Sequence, residues 1–157
     1  MSFRGDIESM ADKNKILDNL RRQCSRREYC SKDILAKAEK ALEGNREEAC
    51  CILETLKEEK YVDDRRYAEA YAREKSAIAG WGGIKIRYML SAKGIDKETI
   101  SLALEEIDER KADDRLQKLI ENKCRTLKDD PQWKMKVLRF ALGRGYSYDE
   151  INEVLNR

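Results

Sequence analysis

The chain has no histidine and a single proline among its 157 residues. Without imidazole, the usual nucleophile–base pairings reduce to rarer lysine, aspartate or glutamate versions, so no catalytic residue is assigned and an enzyme is not expected. The five cysteines, Cys24, Cys30, Cys50, Cys51 and Cys124, form no C-x-x-C pair. That spacing, with no histidine to assist, excludes the common zinc sites. Reduced, mostly buried thiols are expected instead, with no metal and no cofactor. No apolar run approaches the roughly 18 residues of a membrane span, and the first ten residues lack the apolar core of a signal peptide. A cytoplasmic protein with no membrane partner is therefore expected. Nucleotide-binding glycine fingerprints are also missing, because Gly80, Gly82 and Gly83 follow a helical stretch rather than a strand.

What remains is charge and helix-forming side chains. Charged residues make up 41% and aromatics 7%, with eight glycines. A composition rich in Ala, Glu, Lys, Leu and Arg points to an all-α protein. Apolar residues also reach only 41%, which predicts a thin core seam through an elongated body.

The chain repeats itself. Lys85, Ile86, Met89, Leu90, Lys93, Gly94 and Ile95 are matched 51 residues later by Lys136, Val137, Phe140, Ala141, Arg144, Gly145 and Tyr146. Such a period marks tandem helical units. In the middle unit Asp63 is an N-cap, with Val62 placed to staple onto Tyr67. Tyr67, Ala68, Tyr71, Ala72 and Lys75 then trace one buried stripe. Gly80-Trp81-Gly82-Gly83 breaks this helix. The next helix turns Ile86, Met89 and Leu90 inward and stops at Lys93-Gly94, where glycine suits the left-handed position. Ile95 and Asp96 open a third helix, with Ile100, Ala103, Leu104 and Ile107 as its apolar face.

The last unit restates that ending, with a capping box at Ser147 and Glu150. Its first helix is expected to start near Asp113-Asp114-Arg115, with both acid pairs, Asp63-Asp64 and Asp113-Asp114, serving as caps. Trp133 takes a place close to that of Trp81. The first unit is worn: Ile16, Leu17, Leu20 and Cys24 form one face, and Ser31-Lys32-Asp33 opens a second helix. Matching Ile52 and Leu56 to Ile100 and Leu104 puts Glu47 where Ile95 and Tyr146 stand, which removes the staple. The expected division is a disordered N-terminus over 1–13 and repeats over 14–60, 61–111 and 112–157.

Net charge is only +2, but its distribution is uneven. Residues 76–95 hold Lys85, Arg87 and Lys93 with no acid. Residues 131–148 hold Lys134, Lys136, Arg139 and Arg144, again with no acid. The stretches 43–64 and 96–114 each carry eight acids against three bases. Basic charge thus falls on the second helix of the middle and last units and acidic charge on the flanking helices. A solvated face is the plain reading; the sharper one is a strip that binds a polyanion or an acidic surface. Candidate binding residues are Lys85, Arg87, Lys93, Lys134, Lys136, Arg139 and Arg144, joined by Arg73 and Lys75 just before the middle basic segment. Lys93 and Arg144 each precede a left-handed glycine and suit a helix C-terminus equally well.

The run Tyr61-Val62-Asp63-Asp64-Arg65-Arg66-Tyr67-Ala68, followed by Trp81-Gly82, Lys85-Ile86, Leu90 and Gly94-Ile95, resembles the core signature of the RecX family. Arg139-Phe140 with Arg144-Gly145-Tyr146 is similar to that family's C-terminal unit, and residues 30–33 to its first. Ala141 departs from a larger aliphatic, and Gly44-Asn45 is expected to stretch the first unit's turn. The resemblance implies three tandem three-helix, helix-turn-helix-like repeats in a curved, elongated module. It also implies binding to the RecA nucleoprotein filament on single-stranded DNA that hinders ATP hydrolysis, strand exchange and filament growth. Recombination, DNA repair and the SOS response would be damped. Separately, the C-terminal helix shows no heptad seam, and a monomer is expected. Two other readings stand beside it. One is a helical module that binds single- or double-stranded DNA directly through its basic helices; the other is a scaffold that uses its acidic helices.

Overall fold

The computed structural model describes the backbone from residue 3 onward and side chains from residue 10 onward. Among the described residues there are nine helices and no strand: α1 (Phe3–Arg26), α2 (Ser31–Ala41), α3 (Arg46–Glu58), α4 (Asp64–Ala77), α5 (Gly83–Ala92), α6 (Lys97–Glu105), α7 (Glu109–Thr126), α8 (Trp133–Gly143) and α9 (Tyr148–Leu155). Read in threes, they are the three three-helix repeats in tandem. The backbone is helical from Phe3, within the stretch 1–13 expected to be disordered; residues 1–2 lie outside the described residues. By compactness the chain forms two units, residues 1–67 and 68–157.

The first unit has its own core. Leu20 and Cys24 from α1, Ile34 and Ala38 from α2, and Ala49, Ile52, Leu53 and Leu56 from α3 are buried together with Val62. Removing that apolar surface from water is its main stabilisation, at roughly 25 cal/mol per Å2. The start of α4 is tied in by polar contacts. Arg66 donates to Glu28 at 2.7 Å and to the Tyr61 carbonyl at 3.2 Å.

Asp63 caps α4 as expected, accepting from the Arg66 N–H at 3.1 Å. Asp64 does not share that job. It accepts from the Ser31 N–H at 2.7 Å, and so satisfies a donor at the start of α2. The other acid pair departs further. Asp108 is the N-cap of α7, accepting from the N–H groups of Arg110 and Lys111. Asp113 and Asp114 therefore sit inside the helix, and Asp113 forms a two-pronged ion pair with Arg157 at 2.8 and 2.9 Å.

The turn between second and third helices is the most regular element. N-caps Asn45, Asp96 and Ser147 follow one another at 51-residue steps, and each side chain accepts an N–H three residues on. The preceding C-caps, Leu42, Lys93 and Arg144, keep the same steps. Two sequence expectations are corrected by this register. The first unit's turn is not stretched, and the residue that replaces Ile95 and Tyr146 is Gly44, not Glu47. The left-handed position filled by Gly94 (φ +77°) and Gly145 (φ +95°) falls in the first repeat on Glu43 (φ +55°).

The second unit buries Ala68, Ala72, Ile86, Leu90, Ile95, Ile100 and Ala103 in its first half. In its second half Leu116, Ile120, Val137, Ala141, Tyr146, Ile151 and Val154 form one cluster, with Trp133 against its edge. Of the stripe expected on α4, Tyr71 and Lys75 are only half-buried, because both turn toward Trp81. Thiol burial is also less than expected: Cys24 and Cys30 are buried, Cys124 is partly so, and Cys50 and Cys51 are exposed.

Candidate functional site

All the candidate residues lie in the second unit, on α4, α5 and α8 and the turns that end the latter two. Their geometry starts at a close backbone junction. The N–H of Gly82 donates to the Arg144 carbonyl at 2.8 Å, and that of Ile84 to the Gly145 carbonyl at 3.0 Å. Both glycines are required by this contact. A Cβ on Gly82 would lie 2.4 Å from the Gly145 oxygen, and one on Gly145 would lie 2.3 Å from Lys85 Cβ. The Tyr146 hydroxyl adds a hydrogen bond to the Gly80 carbonyl at 3.0 Å, and Arg115 reaches the buried Ser76 hydroxyl at 2.5 Å. Burial raises the Tyr146 phenol pKa, with the nearby Arg115 charge opposing the rise.

Around this junction two bases converge on two aromatic rings. The Lys85 ammonium lies 4.3 Å from the centre of the Trp81 ring and the Lys75 ammonium 5.0 Å from it. Tyr71 meets Trp81 edge-on, with ring centres 6.4 Å apart. Burial raises the Tyr71 phenol pKa, and the charge of Lys93 works against it. Lys75 and Lys85 thus belong to one cation–aromatic cluster with Tyr71 and Trp81.

The remaining candidates have distinct surroundings. Arg144 lies over the Phe140 ring at 5.0 Å, sharing it with Lys123, a base that sequence reasoning did not single out. Lys134 sits 5.5 Å from its neighbour Trp133. Lys136 is ion-paired with Asp130, the residue just before the acid-free stretch, and its charge is largely cancelled there. Arg87 makes one long hydrogen bond to Ser101 at 3.4 Å. Arg73 and Arg139 are exposed and engage no other described side chain.

Sequence reasoning picked out the outward bases Arg87 and Arg139 and missed the exposed apolar and aromatic residues beside them. On α5, Ile84 (57% exposed), Arg87, Tyr88 (72% exposed) and Ser91 share one face by helical spacing. On α8 the residues 51 positions on include Met135 (53% exposed), Arg139 and Leu142. Neither helix contains an acid. The signal was available in the same period, since Ile84 and Met135 are apolar at equivalent places outside the buried stripe.

Chemically, these two faces can make apolar contact, cation–π contact and salt-sensitive contact with negative charge. These side chains are displayed on an all-helical protein of tandem three-helix repeats. Family models place it more closely: residues 63–104 match the second three-helix domain of RecX and residues 111–155 the third. The chain is 31% identical over 158 residues to the regulatory protein RecX of Pectobacterium atrosepticum, across 98% of this chain and 94% of that one. It is 36% identical over 119 residues to the regulatory protein RecX of Clostridium botulinum strain Alaska E43, across 73% of this chain and 55% of that one. A crystal structure of regulatory protein RecX superposes with a TM-score of 0.84 at 22% identity, covering 100% of this chain and 79% of the other. The chain belongs to the RecX family. It spans about half the length of the clostridial relatives it matches.

Proposed function

We propose that this chain regulates RecA by binding the RecA filament on single-stranded DNA in the cytoplasm. Bound there, it hinders ATP hydrolysis, strand exchange and filament growth, and so dampens recombination, repair and the SOS response. The observation that carries the reading is the pair of acid-free outward faces on α5 and α8, set 51 residues apart with an exposed apolar residue at the same place on each. A filament repeats its surface, and a chain that repeats its own contact face matches such a partner in register. The working modules in this reading are the repeats 61–111 and 112–157, with 14–60 as the atypical terminal one.

The test is single-strand-DNA-dependent ATP hydrolysis by the host's RecA, titrated with this protein. Inhibition well below one molecule per RecA indicates blocked filament growth, and inhibition only near saturation indicates occupancy along the filament. Arg87→Glu together with Arg139→Glu should weaken inhibition on the order of tenfold, since each exposed charge contact is worth about 0.2–1 kcal/mol and reversal also adds repulsion. Lys85 and Lys136 are poor choices for that variant, because each already has a partner within the fold. Unchanged inhibition by the folded double variant would remove these faces from the proposal.

A second reading, direct DNA binding, is favoured by one observation: Tyr88 is an exposed ring beside Arg87, the pairing that stacks on unpaired bases. Salt-sensitive affinity for single-stranded DNA with no effect on RecA would select it.

A further inference from the structure

The second unit contains a hollow that none of the basic candidates enters. It has a volume of about 320 Å3 and lies where α4 and the α4–α5 turn meet α6, α7 and α9. Its floor is apolar: Trp81, Leu104, Ile107, Leu116 and Tyr146. Its rim is acidic, with the carboxylates of Glu109, Asp113, Glu150 and Glu153. Only part of that negative charge is met, by Arg115, which reaches Ser76 in the lining at 2.5 Å, and by Arg157. Arg157 pairs with Asp113 at 2.8 Å and with Glu153 at 3.9 Å. Glu109 and Glu150 have no ion-pair partner among the described residues.

We propose that this hollow is a docking site for a basic segment of a protein partner, an arginine or lysine next to an aliphatic residue. The charge complementarity is already displayed by the chain itself, since a guanidinium sits on two of the four rim carboxylates. The shape suits the same chemistry. Arginine and lysine lay an apolar stem along apolar surface and keep the charged head at its edge, and here the edge carries the opposite sign. An acidic partner or a nucleic acid would meet repulsion. The site is thus opposite in sign to the outward faces of α5 and α8. It stands or falls separately from the RecA reading, which rests on those faces.

The test uses the full chain, labelled with nitrogen-15, and the tripeptide amide acetyl-Leu-Arg-Leu. The readout is the indole N–H of Trp81, told apart from that of Trp133 by a Trp133→Phe variant. The expected result is a saturable shift of the Trp81 signal at millimolar peptide, with no matching shift from acetyl-Leu-Glu-Leu. Glu109→Gln with Glu150→Gln should weaken binding several-fold, about 2- to 10-fold for two solvent-exposed charge contacts. Glu105→Gln with Glu106→Gln, two exposed acids off the rim, should leave it unchanged. Absence of a shift, equal shifts from both peptides, or indifference to Glu109→Gln/Glu150→Gln would overturn the proposal. So would a single-stranded oligonucleotide that moved the same signal, because it would assign the hollow to nucleic acid.

Discussion

Alanine at position 82 should be among the most damaging small substitutions in this protein. Gly82 has an ordinary negative φ of −83°, so the backbone angle itself tolerates a side chain. The obstacle is what the new Cβ meets: the Gly145 oxygen at 2.4 Å, its carbonyl carbon at 2.5 Å and the Tyr146 nitrogen at 2.7 Å. All three are backbone atoms and cannot rotate away. Restoring ordinary contact at about 3.4 Å requires the two backbone segments to separate by about 1 Å. The hydrogen bonds from Gly82 to Arg144 and from Ile84 to Gly145, now 2.8 and 3.0 Å, would both be lost or stretched. At about 0.5–1.5 kcal/mol each, plus residual overlap of about 1 kcal/mol, the cost is about 2–4 kcal/mol. That is a large fraction of the 5–15 kcal/mol typical of a domain. Gly143→Ala is the matched control. Its Cβ meets nothing within 4 Å, and in a helix alanine should stabilise by about 0.5–1 kcal/mol. Urea unfolding followed by circular dichroism reads both. A Gly82→Ala protein within 0.5 kcal/mol of the parent would refute the close junction.

Four further outcomes follow from named contacts. Glu43→Gly relieves a left-handed φ of +55°, and should leave stability unchanged or raise it by up to about 1 kcal/mol once glycine's extra chain entropy is counted; a loss in urea unfolding would contradict the assigned turn. Ser147→Ala removes the acceptor for the Glu150 N–H, 3.1 Å away, and should cost about 0.5–2 kcal/mol in the same assay. The Arg157 guanidinium holds the Asp113 carboxyl below the usual carboxylate range. Because the folded pKa is the lower one, the pair stabilises the fold above about pH 4 and is lost as pH falls through the folded value. In Arg157→Gln the Asp113 titration followed by NMR should return to the ordinary range, and coincident curves would sink the pairing. A thiol reagent should label Cys50 and Cys51 in the native protein and Cys24 and Cys30 only after unfolding, which mass spectrometry of the labelled peptides decides.

Much of the fold could be read from local chemistry. The caps Asp63, Asp96 and Ser147 and the stop at Gly94 act within one helical turn, and each was legible. The first repeat was misregistered for an equally local reason. Pairing Ile52 with Ile100 shifts the match by three residues, close to one helical turn, and an apolar stripe looks nearly the same after such a shift. Only the turn fixes the register, and there Glu43 stands in place of the left-handed glycine and Gly44 in place of the apolar residue after it. Asp113 was misread because Asp-Asp-Arg repeats the sequence of a true helix start, while its partner Arg157 is 44 residues away. The binding surface was half legible. Acid-free helices could be counted, but the neutralisation of Lys136 by Asp130 and the engagement of Lys85 and Lys75 by Trp81 depend on side-chain packing.

The constant turn has a consequence for how length changes can enter this architecture. The second and third helices of each repeat are locked to one another at a fixed residue spacing, while the leading helices run 24, 14 and 18 residues. The leading helix is an adjustable strut and the helix pair behind it a cassette. Residues added to or deleted from a strut beyond the side chains it buries change its length and leave the cassette's own register intact. A single residue inserted into the turn would instead rotate every later side chain of its cassette off the core. Grafts between members of such a family therefore have natural seams at the struts, and a chimaera cut there keeps each pair of helices whole.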